Sequence, residues 1–136
     1  LLQADGVHVG QSDCSIQQAR AILGKSACIG VSAHNLEEAR MAQQGGADYI
    51  GCGAVFGSAT KQDATPLSRE TLRTICQGVS IPVVAIGGIT AQNVQQLAGS
   101  GIQGIAVVSA IFGQPDKTEA ARQMHQLANQ VCGGAQ

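Results

Sequence analysis

Three short stretches of the sequence carry donors that could hold an anion. The first is Ser58, Thr60 and Lys61 in GAVFGSATKQDA (53–64), two hydroxyls and an ammonium within four residues. Short hydroxyl donors with one point charge suit a doubly or triply charged phosphate. An ordinary polar loop could have the same composition, yet a connection as long as 54–67 in a compact β/α protein is usually functional. The second is Gly87-Gly88 after IPVVAI (81–86), where a glycine pair bares backbone N–H groups and Thr90 is placed to cap a helix. The third is Val108-Ser109, which ends GIAVVSA (104–110). Two adjacent strand-to-turn units late in a chain are where many β/α barrels bind a substrate phosphate. Two glycines alone are equally well read as a tight turn.

Other candidates follow earlier strands. Asp13, in GQSD (10–13), is an oxygen donor suited to a hard cation such as Mg²⁺, and equally suited to a turn. Ser32, His34 and Asn35 follow the segment at 28–32. Asn35 is explained as an N-cap, and His34 reads as an acid/base or as a solvated neighbour of that cap. The five cysteines, Cys14, Cys28, Cys52, Cys76 and Cys132, form no CxxC and no Cys/His pair at metal-ligand spacing. They read as buried free thiols of a reducing cytosol, and Cys52 has no neighbouring base to make it a nucleophile.

A β/α alternation must position these groups. Strands are expected at 6–10, 28–32, 49–53, 83–86 and 105–108, with the run at 81–86 buried on both faces as in a parallel sheet. Helices are expected at 15–23, 36–44, 68–77, 91–97 and 116–131, with Ser15/Gln18, Asn35/Glu38 and Asp116/Glu119 as N-terminal signals. The similar strand entries ADGV (4–7), ADYI (47–50) and IQGI (102–105) suggest a repeated βα unit in an α/β fold. One domain spans 1–136, with no internal linker and a tail at 133–136 expected to fray. Five units do not close a barrel of eight, and the start Leu1-Leu2-Gln3 reads like the end of an earlier helix. The expectation is therefore the C-terminal five βα units of a (β/α)8 TIM barrel, with the N-terminal units absent.

Composition excludes several classes. Apolar residues make up 44%, charged residues 12% and aromatics 2%, so small and β-branched side chains carry the packing. With a net charge of −1 and scattered Lys and Arg, no basic stripe or aromatic platform offers itself to nucleic acid. No apolar run reaches the roughly 18 residues needed to cross a membrane, and nothing resembles a signal peptide, so a cytoplasmic location is expected.

Taken together and in order, ADGVHVGQSD, IGVSAHN, GADYIGCGAVFGSATKQDA, IPVVAIGGIT and GIAVVSAIF resemble the thiamin phosphate synthase (thiamine-phosphate pyrophosphorylase) family over residues 4–131. The resemblance implies a (β/α)8 barrel that couples 4-amino-2-methyl-5-hydroxymethylpyrimidine diphosphate to 4-methyl-5-hydroxyethylthiazole phosphate, releasing pyrophosphate with Mg²⁺. It implies Asp13 as a magnesium ligand and Ser32 as a pyrimidine contact. Ser58 and Thr60 would hold the thiazole phosphate, and Lys61 would meet the diphosphate. Gly88, Val108 and Ser109 would form the rest of the thiazole phosphate site, with Val84 and Ile86 lining the pocket. Ser58 stands where the family usually has Thr, and Gly57 where Pro is common. The family's upstream Gln-x-x-x-Lys patch and Asn-Asp pair do not occur in the sequence. Activity of the chain by itself is therefore in doubt, and its exposed edges would favour a homo-oligomer. Two other readings stand beside this one. One is a thiazole tautomerase-like isomerase using His34, for which the S-x-T-K loop has no clear purpose. The other is a non-catalytic phosphate-binding fragment.

Overall fold

The computed structural model describes residues 4–57 and 66–133. Five parallel strands, β1 (Gly6–Val9), β2 (Cys28–Ala33), β3 (Tyr49–Cys52), β4 (Val83–Ile86) and β5 (Gly104–Ala106), lie side by side in chain order. Strands that follow one another in both sequence and space, all parallel, require a crossover on one side each time. Helices α1 (Ile16–Leu23), α2 (Leu36–Gln44), α3 (Arg69–Gly78), α4 (Ser109–Phe112) and α5 (Lys117–Val131) supply the crossovers and the C-terminal cover.

The N-terminal signals of the sequence are used as read. Ser15 Oγ accepts from Gln18 N while Gln18 Oε1 accepts from Ser15 N, a reciprocal box that satisfies two free donors. Asn35, Ser68 and Asp116 accept from the backbone N–H three residues on in α2, α3 and α5. The repeated strand entries also have a physical cause. Asp48 Oδ2 accepts from Ile29 N at 2.7 Å, and Gln103 Oε1 accepts from Val83 N at 2.7 Å. Each entry residue thus satisfies an N–H near the start of the strand next to its own.

Asp48 also meets Arg20 Nη2 at 2.9 Å. The Ile29 N–H, and then the Arg20 guanidinium, hold its carboxyl below the ordinary carboxylate range. Asp48→Ala should destabilise the fold by about 1–3 kcal/mol, the scale of leaving a partly buried donor unpaired. The carboxylate's contribution is present above its unfolded pKa of ~4 and is lost as pH falls through the lower folded value. Thermal melts between neutral and acidic pH should show wild type approaching the Asp48→Ala variant.

The core lies between the helices and one face of the sheet. Ile29, Ile50, Val83 and Ala85 on the strands meet Leu72 and Ile75 of α3 and the small residues Ala39 and Ala42 of α2. Three expectations change. The 81–86 run is covered on one face only among the described residues: Val83 and Ala85 are buried, whereas Ile86 is 45% exposed. Thr90 does not cap a helix at 91–97; the chain makes turns and then a short 3₁₀ segment, Val94–Leu97. The cause is Asn93, whose side chain reaches back to Thr90 N and Gly88 O and holds the turn open. Finally, the strand expected at 105–108 ends at Ala106, and α4 begins at Ser109. Gly133 N donates to Ile102 O at 3.3 Å; the remainder of the expected tail, 134–136, lies outside the described residues.

Candidate functional site

The face of the sheet turned away from the helices is built for flat side chains. Gly30 and Gly51 lie on it between His8, Ser32, Tyr49 and Val84, as the parallel register requires. A Cβ at Gly30 would stand 2.1 Å from the Tyr49 ring, and one at Gly51 would stand 2.7 Å from His8 Cε1. These two absences let the imidazole and phenol lie across neighbouring strands. His8 Nδ1 then pairs with Tyr49 Oη at 2.9 Å, and His8 Nε2 with Ser32 Oγ at 2.9 Å. Burial pushes the His8 imidazole below its ordinary range, against the opposing pull of the Asp13 carboxylate. Burial likewise raises the Tyr49 phenol. Both groups are therefore held neutral near pH 7. Val84 and Ile86 extend the same face as an apolar wall.

Beyond the strand ends, Asp13 sits in a tight turn after β1. Its Oδ2 accepts from Gly10 N at 2.7 Å, which orients the carboxylate and leaves Oδ1 free. That is the donor type a magnesium ion takes, as one of several oxygens with water completing the shell. Among the described residues, no three His, Cys, Asp or Glu side chains gather at a metal-binding distance, so Asp13 would be a single protein ligand from this region. Gln11 Nε2 donates to Ser32 O at 2.6 Å and ties this turn to the end of β2.

The turns after β3, β4 and β5 adjoin. Val55 N donates to Ile86 O and Phe56 N to Gly87 O, so the chain leaving β3 is strapped to the end of β4. Gly88 has φ +65°, and a Cβ there would stand 2.7 Å from Gly57 O and 2.9 Å from Phe56 O. Only glycine meets both demands. The register Ile86↔Ala106 sets Gly88 beside Val108 two residues past each strand. Ser109 opens α4 and shares a groove of about 620 Å³ with Thr90–Gln92, rimmed by Asp116 and Glu119.

The structure thus brings Gly88, Val108 and Ser109 to one sheet end and sets Ser32, Val84 and Ile86 on one face. Ser58, Thr60 and Lys61 lie outside the described residues, which resume at residue 66 beyond a loop whose near end, Phe56-Gly57, abuts Gly88. Sequence reasoning missed His8, Tyr49 and Asn93. A histidine in the apolar run GVHVG, with glycines two strand positions over, was the available signal. His34 is tied to Glu38, with Nδ1 3.0 Å from Oε2 at the start of α2. The cysteines are less uniform than expected: Cys14 and Cys28 are exposed, since their positions fall on a turn and on the open face. Cys52 is buried and its thiol is pushed up to about 12 by burial and then by Cys76, which makes it inert as a nucleophile.

Comparison with known proteins adds to this geometry. Residues 1–111 match the model of the thiamine monophosphate synthase family. The chain is 53% identical over 124 residues to thiamine-phosphate synthase of Ruminiclostridium cellulolyticum, covering 91% of this chain and 59% of that protein. It is 50% identical over 129 residues to the thiamine-phosphate synthase of Chloroflexus aurantiacus, covering 94% and 59%. The crystal structure of thiamine phosphate pyrophosphorylase from Pyrococcus furiosus superposes with a TM-score of 0.87 at 41% identity, over 97% of this chain and 63% of that one. The chain therefore spans about three fifths of the length of the proteins it matches, and it belongs to the thiamine monophosphate synthase family.

Proposed function

We propose that the chain is the C-terminal five βα units of a (β/α)8 barrel and that the complete barrel joins the pyrimidine diphosphate to the thiazole phosphate. The observation that carries the reading is identity near 50% to proteins named thiamine-phosphate synthase, over nine tenths of this chain. Supporting it, β1 and β5 each have one strand neighbour among the described residues, an edge that barrel closure removes.

The chemistry follows from charge. As the diphosphate leaves, negative charge grows on it and positive charge on the pyrimidine methylene. Lys61 neutralises the first, and its place in a loop leaving β3 suits a group that must follow the departing oxygen. A magnesium ion, when bound with Asp13 as one ligand, supplies further charge neutralisation to the diphosphate oxygens. Ser58, Thr60, Gly88 and Ser109 hold the thiazole phosphate and so fix where the thiazole nitrogen lies. Val84 and Ile86 exclude water from the methylene between the two rings. Ser32 orients the pyrimidine. No protein nucleophile is needed, which agrees with the inert Cys52.

The test is product formation. The full-length enzyme carrying this sequence, given Mg²⁺ and both substrates, should form thiamin phosphate and one pyrophosphate per turnover. Isomerisation of a thiazole substrate without pyrophosphate release would instead assign the tautomerase reading.

A further inference from the structure

We infer that Tyr49 and His8 are positioning residues that fix the direction of the Ser32 hydroxyl, making Ser32 a donor to an unprotonated ring nitrogen of the pyrimidine. The ligand half of this inference rests on the function proposed above; the tautomer half does not.

Both nitrogens of His8 have an oxygen partner at 2.9 Å. A neutral imidazole has one N–H and one bare nitrogen, so it must donate to one partner and accept from the other. Two arrangements exist, and the partners are not equivalent. The Tyr49 oxygen shares its lone pair with its ring, which makes it a better donor than acceptor. The Ser32 oxygen is aliphatic and is the better acceptor. The favoured order is therefore Tyr49 O–H to Nδ1 and His8 Nε2–H to Ser32 Oγ. Ser32 then has its own proton left to give.

The surroundings agree with that order. Ser32 lies in a strand, where its hydroxyl has no helical carbonyl to turn back to. Its own carbonyl is already occupied by Gln11 Nε2. Its remaining direction is the open face, which Val84 and Ile86 wall with apolar surface. A single neutral donor against such a wall suits a neutral acceptor in a flat ring. Gly30 and Gly51 make the relay possible, because a Cβ at either would displace the ring that lies over it. The titratable groups facing His8 are Tyr49, Asp13 and, on the neighbouring strand, Cys28.

The experiment has two arms. In the protein labelled with ¹⁵N at histidine, the His8 signals, identified by their loss in His8→Gln, should show Nε2 protonated and Nδ1 bare. A protonated Nδ1 overturns the relay. Tyr49→Phe keeps the ring packed over Gly30 but removes the phenol proton, and should shift His8 toward the other tautomer; an unchanged tautomer would show that Tyr49 does not set it. In the second arm the full-length enzyme is titrated with 4-amino-5-hydroxymethyl-2-methylpyrimidine and with analogues in which each ring nitrogen in turn is C–H. One replacement should weaken binding about 5- to 10-fold, the scale of one neutral hydrogen bond. That loss should vanish in Ser32→Ala and shrink in Tyr49→Phe. Losses that persist undiminished in Ser32→Ala overturn the donor assignment. If neither the pyrimidine nor its analogues bind, the proposed function fails, whatever tautomer the first arm reads.

Discussion

Gly88→Asp should abolish binding of a phosphate ester, with a loss of at least about 100-fold, because a carboxylate beside a bound anion is penalised by several kcal/mol. The same substitution also strains the chain. Position 88 has φ +65°, and its Cβ would press on the carbonyl oxygens of Gly57 and Phe56. A non-glycine residue in that backbone region adds about 1–3 kcal/mol of strain. Gly88→Ala separates the two effects, since it carries the steric penalty without the charge. The alanine variant should melt lower than wild type and keep part of its phosphate affinity, while the aspartate variant should lose that affinity entirely. Calorimetry showing unchanged phosphate affinity in Gly88→Asp would place the anion elsewhere.

Lys61→Ala in the full-length enzyme should lower turnover about 10²-fold or more, the scale of removing one preorganised charge from a transition state. Binding of thiazole phosphate should fall much less, because that group relies on hydroxyls and backbone donors around Ser58, Thr60 and Gly88. The split between kcat and the thiazole phosphate KM is the measurement. Equal losses in both would make Lys61 a general phosphate clamp and not a stabiliser of the leaving diphosphate.

Much of the fold was legible because local signals agree with the global pattern. Ser15, Asn35, Ser68 and Asp116 cap the helices that follow them, and each strand run ends at or near a glycine or turn. The errors have specific causes. Thr90 looks like an N-cap in sequence, but Asn93 competes for the same backbone groups and wins by bonding to two of them. Ile86 continues an apolar run, yet alternation along β4 turns it to the face that the helices do not cover. The β5 boundary failed because Val107 and Val108 favour extended chain by type, whereas Val108 O accepts from Ile111 and Phe112 and starts α4.

The candidate site was legible where donor type and loop position coincide, as at Asp13, Gly88 and Ser109. It was illegible at His8 and Tyr49. Their partnership depends on strand register: parallel pairing sets His8 beside Gly30 and Gly30 beside Tyr49. Nothing in the spacing of residues 8 and 49 announces that adjacency. The missing Cβ atoms of Gly30 and Gly51 supply the room, and a glycine in a strand could as easily have marked a bulge.

The account's central claim is that the turns after β3, β4 and β5 hold a thiazole through its phosphate. The most direct measurement is a calorimetric titration of the protein with 4-methyl-5-hydroxyethylthiazole phosphate, with the unphosphorylated alcohol, and with inorganic phosphate as competitor. The phosphate ester should bind at least about 10-fold more tightly than the alcohol, as expected when charge-assisted hydrogen bonds to the phosphate carry the affinity. Inorganic phosphate should displace the ester. Equal affinity for ester and alcohol, or an ester that inorganic phosphate does not displace, would contradict it.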